Sequence, residues 1–435
     1  VTGGFDTGEA VVLLGDAWRR LREIPAGSVD AVVTDPPYGL GTKEPTVPEL
    51  IAYLKGADMQ TGGDFMGREW DVPPVRVWRE CLRVLRPGGA LLAFGGTRTV
   101  DLVTLGLRAA GFEIRDTLVW LHAQGFPKSL DASKAIDDAA GAEREVVGER
   151  RGTANKRLCG DEAGKGFGAV VSVTAPATED ARRWTGYGTA LKPANEPIVF
   201  ARKPLAGTVA ENLRAHGTGA INIDGCRVGT NKDVPASPRR AVQGSALGDL
   251  SKAAGDTAGF DPNVGRFPAN VLLSHAEGCA EACAPGCPVA ALDAQSGERV
   301  SGKPTDIPRG RRAGGFGDVG AERGSRAPNA GQYGDRGGAS RFFYTAKASR
   351  AERSAGLPAG MRNEHPTVKP VEVMRWLCRL VAPPGGLVLD PYSGSGTTGV
   401  AAVREGLRFL GVEREPAFAE IARARVAHAL ATRKG

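Results

Sequence analysis

GLVLDPYSGSGTTGVAAVREGLRFLGVE, residues 386–413, decides the fold. GLVLD (386–390) is a short apolar run, TTGVAAVRE (397–405) has helical spacing, and LRFLGVE (407–413) is apolar again. Strand, helix, strand in that order predicts a parallel βαβ unit, because strands joined through a helix return in the same direction. Between the first strand and the helix, Gly394 and Gly396 let the backbone turn sharply and approach a ligand. The helix N-terminus behind them, at Thr397 and Thr398, attracts negative charge. Glu413 ends the second strand 19 residues after Gly394, a distance that suits an acidic side chain to the two hydroxyls of a ribose.

The turn is neither the G-x-G-x-x-G of dinucleotide folds nor a phosphate loop ending in G-K-[ST]. Asp390 would repel a pyrophosphate, yet suits the amino group of an amino-acid-bearing nucleoside, which points to S-adenosylmethionine. The flanks continue the pattern. PVEVMRWLCRLVA (370–382) reads as a helix following Lys369, and PAFAEIARARVAHALA (416–431) as a closing helix. In the first third, VVLL (11–14), VDAVVT (29–34) and GALLAF (89–94) read as strands, with the helix VRVWRECLRVL (75–85) ended by RPGG (86–89). EIRDTLVWL (113–121) and PIVFAR (197–202) read as further strands. Alternating strands and helices predict an α/β fold with a mostly parallel sheet covered on both faces.

The second informative stretch is VDAVVTDPPYG (29–39). Asp35, Pro36, Pro37 and Tyr38 follow a strand and so lie at the carboxyl edge of the sheet, where open α/β folds bind ligands. The exocyclic amine of a nucleobase is a poor nucleophile because its lone pair is delocalised into the ring. Asp35 can accept one of its N–H groups and the Pro36 carbonyl the other, leaving nitrogen density aimed at a methyl sulfonium. Tyr38 can stack on a base rotated out of the duplex. The two prolines hold the acceptors in place beforehand.

TDPPYG (34–39), HPTVKP (365–370) and LDPYSGSGTT (389–398) together resemble the β-class of DNA amino-methyltransferases, which modify adenine N6 or cytosine N4. The resemblance implies a doubly wound, mostly parallel methyltransferase sheet of seven-stranded type, circularly permuted, with a loop-rich target-recognition region. The division it implies is a catalytic half at 1–125, an insertion at 126–190, a returning strand at 191–204, target recognition at 205–344 and a cofactor half at 345–435. Asp35, Pro36, Pro37 and Tyr38 would be the catalytic quartet. Asp390, Pro391, Tyr392, Ser393, Gly394, Ser395, Gly396, Thr397 and Thr398 would hold the methionine part of S-adenosylmethionine. Glu413 would bind the ribose, Asp16 would approach the adenine, and His365 and Lys369 would flank the methionine end. Tyr392 stands where the family often has Phe. WTGYGTALKPANEPIVFARKP (184–204) is similar to the strand beside the target pocket of related enzymes.

Composition fits a double-stranded DNA partner without requiring one. The 435 residues carry 56 Lys+Arg against 49 Asp+Glu, a net charge of +7. Residues 301–353 hold 11 Lys/Arg against 5 Asp/Glu, which reads either as a solvated loop or as a basic surface following a phosphate backbone. In GFPKSLDASKAID (125–137) a helix capped by Ser129 or Asp131 stands beside Lys128 and Lys134, as a DNA contact or an ordinary solvated helix. No apolar run approaches the ~18 residues of a membrane span. VTGGFDTGEA (1–10) shows no basic region followed by an apolar one, and the 7 cysteines are an odd number, so a reducing cytoplasm is expected.

His275, Cys279, Cys283 and Cys287, each separated from the next by three intervening residues, form a ligand set for structural zinc, although zinc ligands usually come in two pairs with a longer gap. The alternative is reduced, partly buried thiols, and in neither case is the metal catalytic. Asp at the first catalytic position resembles adenine enzymes, and Ser is more usual in cytosine-N4 enzymes. The rival readings are an RNA or protein-glutamine methyltransferase and a DNA-binding module with an inactive catalytic fold. Homodimer formation and an accompanying restriction endonuclease stay open.

Overall fold

The computed structural model describes residues 5–6, 8–41, 43–59, 71–122, 125, 129–151, 170–229, 265–276, 278–279, 282–300, 336–347 and 349–433. Lys128 and residues 305–335 of the basic stretch lie outside them.

The strands in chain order are β1 (Phe5–Asp6), β2 (Ala10–Leu14), β3 (Val29–Thr34), β4 (Leu85–Phe94), β5 (Glu113–Leu121), β6 (Val146–Arg151) and β7 (Val170–Thr174). They continue as β8 (Asn195–Arg202), β9 (Val271–Ser274), β10 (Arg299–Val300), β11 (Arg336–Gly337), β12 (Tyr344–Ala346), β13 (Leu387–Asp390) and β14 (Arg408–Glu413). Ten of them form one sheet in the order β1-β2-β14-β13-β3-β4-β8-β5-β9-β12. All run parallel except β1 and β8. The seven strands from β2 to β5 form the expected core with one reversed strand. β1 at one edge, and β9 and β12 at the other, enlarge the sheet beyond the expected seven strands. β9 is a short segment of the 205–344 stretch, and β12 lies at the boundary where that stretch meets 345–435.

Every residue of β3 is buried because helices cover both faces. Ala31 and Val33 face the layer of helices Val371–Val381, Thr397–Arg404 and Pro416–Thr432, with Trp376, Leu377, Val403 and Val426 in the same core. Val32 faces the layer of helices Val75–Val84 and Val100–Ala110, with Trp78, Leu107 and Leu21. The period-2 alternation of β4 divides in the same way, Leu92 and Phe94 to one core, Leu91 and Ala93 to the other.

RPGG (86–89) belongs to strand β4 rather than ending the preceding helix, which stops at Val84. A register shift between Val29 and Ala31 absorbs it. Arg86 is tied to buried Asp30 at 2.8 Å, and the second oxygen of Asp30 accepts the Leu387 N–H at 2.7 Å, fastening β13 to β3. β8 lies antiparallel between β4 and β5, so residues 122–194 leave and rejoin the sheet at one place. Within this insertion Asp131 caps the helix Ala132–Ala139, and β6 and β7 form a hairpin. Among the described residues no helix is long and apolar enough to cross a membrane.

Candidate active site

β3 and β13 are neighbours, and the loops leaving their carboxyl ends share one cavity of about 570 Å³. The ends are cross-tied. Asp390 accepts hydrogen bonds from Thr34 Oγ1 at 2.7 Å, Thr398 Oγ1 at 2.6 Å and the Tyr392 N–H at 3.1 Å. Burial pushes the Asp390 carboxyl up to about 6 in spite of these donors.

From the first loop, Asp35, Pro36, Pro37 and Tyr38 line the cavity. Asp16, His365, Lys369, Asp390, Pro391, Tyr392, Ser393, Gly394, Ser395, Thr397, Thr398 and Glu413 line it as well. Gly396 does not: a side chain there would lie 2.9 Å from Ala422 of the last helix, so this glycine serves helix packing. Gly394 has φ +51, and a Cβ would lie 2.8 Å from His365 Nε2. The imidazole covers the turn and meets the Phe418 ring edge-on at 4.6 Å. The buried Arg425 guanidinium holds the turn from behind, donating to the Ser395 carbonyl at 2.6 Å and to Thr397 Oγ1 at 3.1 Å.

Glu413 is fixed by the N–H groups of Gly394 at 2.7 Å and Glu415 at 2.8 Å, one on each carboxylate oxygen. Burial raises its carboxyl above the ordinary value. The Arg414 backbone also bonds the carboxylate, which leaves it acceptor capacity for a hydroxyl donor among its four lone-pair sites. Asp16 caps the short helix Ala17–Leu21 through the Arg19 N–H at 3.1 Å, and Trp18 extends the wall beside it.

The opposite wall carries a buried charge cluster. Lys369 Nζ lies 2.6 Å from Asp35 Oδ2 and 3.2 Å from Glu196 Oε2. The Tyr38 hydroxyl lies 2.8 Å from Asp35 Oδ1 and 2.6 Å from Glu196 Oε2, and its single proton can serve one acceptor at a time. His122 Nε2 stands 3.6 Å from the other Glu196 oxygen. Burial raises the Asp35 carboxyl; the Lys369 ammonium pulls it down and Glu196 pushes it up, leaving it above the ordinary value. Burial acts to raise Glu196 too, but Lys369 and the Tyr38 hydroxyl outweigh it and leave that carboxyl low. Asp35 is therefore the carboxylate that takes a proton more readily. Burial, with both carboxylates, keeps the Tyr38 hydroxyl protonated. The Pro36 carbonyl has no donor among the described residues.

Lys369, expected to flank the methionine end of the cofactor, lines the cavity and places its ammonium on Asp35. Glu196 and His122 were not singled out, although Glu196 stands inside the stretch quoted at 184–204. As the second residue of β8, the one inner strand that runs backwards, Glu196 arrives at the carboxyl edge. Trp18 and Phe418 were also missed. Away from the cavity, the ligand atoms of His275, Cys279, Cys283 and Cys287 converge to within 4.8 Å of one another.

Comparison with known proteins gives a consistent picture. The family model for N6/N4 DNA methylases matches residues 29–208 and 333–424. The chain is 43% identical over 63 residues to the type II methyltransferase M2.DpnII of Streptococcus pneumoniae, across 14% of this chain and 24% of that protein. It is 26% identical over 128 residues to the type II methyltransferase M.HpaI of Haemophilus parainfluenzae, across 29% of this chain and 36% of that protein. The matched part thus spans about a quarter to a third of the length of these curated relatives. Among solved structures, the cytosine-N4-specific PvuII DNA methyltransferase aligns over 96% of this chain and 86% of its own, at 12% identity and a TM-score of 0.41, too distant to bear on the chemistry. The family match takes in well over half of the residues and both strand-end loops, and the chain belongs to the N6/N4 DNA methylase family.

Proposed function

We propose that this chain transfers a methyl group from S-adenosylmethionine to the exocyclic amine of a base rotated out of double-stranded DNA, adenine N6 in preference to cytosine N4. The observation that carries the reading is that Asp35, at the end of β3, and the Gly394 turn, at the end of β13, line one cavity. The cavity suits the cofactor. The Gly394 turn is bare of a side chain where a ligand would lie close, Glu413 offers lone pairs for ribose hydroxyls, and Trp18 and Phe418 supply apolar walls. When bound there, S-adenosylmethionine supplies an electrophilic methyl group.

The protein's own part is to prepare the amine. Asp35 accepts one N–H and the free Pro36 carbonyl the other, which localises the lone pair on nitrogen. The Lys369 ammonium favours the ionised form of Asp35. The raised carboxyl of Asp35 then makes it a competent acceptor for the proton the nitrogen must lose. Tyr38, anchored through its hydroxyl to Asp35 and Glu196, presents its ring to the extruded base. Asp at position 35 favours adenine, by resemblance to adenine enzymes. In the same reading 1–125 and 345–435 are the two halves of the catalytic unit, 191–204 the returning strand, 126–190 an insertion and 205–344 the target-recognition region.

Single-molecule sequencing of DNA from cells expressing the chain tests this. N6-methyladenine in one recurring sequence context is the expected result. N4-methylcytosine there would move the assignment to the other base, and no modified amine in any context would overturn it. An Asp35→Ala variant that still methylates would remove the role given to Asp35.

A further inference from the structure

β9 and β12 raise a problem of stability. They have four and three residues; Leu272 and Ala346 reach the main core, and on the other side, among the described residues, Leu273, Cys287 and Val289 form a small buried cluster with Cys279, Leu292 and Phe343 packed around it. So small a satellite core rarely holds a fold without a staple. The residues that would provide one meet at this place from three directions. His275 directly follows β9, and its N–H bonds the Ala346 carbonyl at the end of β12 at 2.9 Å. Cys279 and Cys283 lie in the loop beyond. Cys287 is the N-cap of the helix Pro288–Ser296.

We propose that His275, Cys279, Cys283 and Cys287 bind one structural zinc ion that clasps the outer end of the sheet. His275 Nδ1 lies 3.4 Å from the sulfurs of both Cys283 and Cys287. On one tetrahedral zinc ion, with Zn–S about 2.3 Å and Zn–N about 2.0–2.1 Å, a nitrogen and a sulfur lie about 3.6 Å apart. The observed spacing is that of ligands sharing an ion. All three thiols are free rather than paired in a disulfide. Two of the three sulfurs, those of Cys279 and Cys287, are also met by backbone donors, which suits thiolates. The Ala284 N–H reaches Cys279 Sγ at 3.2 Å, and backbone groups of Ala276, Val289 and Ala290 bond Cys287. Three thiolates and an imidazole leave no open coordination position, so the ion is structural. The uniform spacing of three residues, atypical of zinc sites, works because strand end, loop and helix start each contribute ligands from a different side.

The site also has a physical link to the catalytic wall. Ser274, next to His275, accepts the Trp120 indole N–H at 2.8 Å, the Trp120 ring lies 4.9 Å from the His122 ring, and His122 faces Glu196. The ion thus steadies the flank against which that wall is built.

Metal analysis of the 435-residue chain, purified without chelator, tests the proposal by mass spectrometry and by cobalt substitution. About one zinc per chain is expected, and the cobalt form should show the intense visible bands of a tetrahedral site together with thiolate charge-transfer bands. Cys283→Ser, at the most exposed ligand, should retain at least about tenfold less zinc against a competing chelator. His216→Gln, remote in sequence from the cluster, should keep the wild-type stoichiometry. If Cys283→Ser fails to fold, the stoichiometry and cobalt spectrum of the unmodified chain decide. Metal-free protein with freely titrating thiols, a disulfide within the cluster, or undiminished zinc in folded Cys283→Ser would each overturn the proposal.

Discussion

Lys369 and Asp35 form a buried ion pair at 2.6 Å although 334 residues of chain separate them. One comes from the segment leading into the helix at Val371, the other from the end of β3, and the pair is where the two halves of the chain share a charge. Each partner offsets the burial of the other.

Lys369→Gln should therefore move the pH dependence of methylation. The ammonium lowers the Asp35 carboxyl, so its removal raises that group further, and less Asp35 is ionised at a given pH. The acid limb of the kcat profile shifts to higher pH, measured at saturating DNA and cofactor. An unmoved limb would mean that Asp35 does not need to be ionised for turnover.

Glu196→Gln keeps the shape but removes a charge that anchors Lys369 and the Tyr38 hydroxyl. Misplacement of the acceptor pair by a fraction of an ångström should lower kcat by about 10²-fold, with KM for DNA little changed. Steady-state kinetics on a duplex containing the target site separate the two. A pure KM effect would assign Glu196 to DNA binding instead.

The two glycines of the turn should respond differently to alanine. Gly394→Ala forces a Cβ against the His365 ring over the cavity, and cofactor affinity by calorimetry should drop. Gly396→Ala drives a Cβ into the backbone of Ala422 at φ +78, and should destabilise the fold by about 1–3 kcal/mol in urea titrations. Reversal of the pattern would show that Gly396, not Gly394, borders the ligand.

Asp390 gives a stability signature. Its folded carboxyl is raised from 3.8 to about 6, so the native state binds more protons than the unfolded chain between those values. This contribution is fully present below the unfolded value and is lost as pH rises through the folded one. Asp390→Asn abolishes the titration, so wild type should lose on the order of 2 kcal/mol relative to the variant between pH 4 and 7. Urea unfolding of both proteins at several pH values checks the slope, and parallel curves would count against a raised carboxyl.

What was legible in the sequence follows from the range of the signals. Loops at strand ends are local: DPPY and DPYSGSG each follow an apolar run, and the parallel rule alone puts both at one sheet edge. Glu196 and His122 carry no local signal. Their position depends on β8 entering antiparallel between β4 and β5, which residues 195–202 cannot reveal by themselves. VLLS and YTA, the strands β9 and β12, are too short for an alternation to show. RPGG carries the marks of a helix stop, and its strand character comes from distant partners: Asp30 holds Arg86, and the backbone of Gly88 and Gly89 bonds that of Lys203.

The tie between Asp30 and Leu387, 357 residues apart, has a consequence for biosynthesis. β4 is available to β3 early, whereas β13 is not. At ~5–20 residues per second, the inner edge of β3 waits about 20–70 s for its second partner. Until then a strand that is wholly buried in the finished fold shows unpaired backbone groups to its surroundings, a state that invites chaperones or aggregation. A product stopped before residue 369 lacks one partner of the Asp35–Lys369 pair, and one stopped before residue 390 lacks the turn at 390–398 that shares its cavity. A chain stopped at residue 380 should bind no cofactor in equilibrium dialysis.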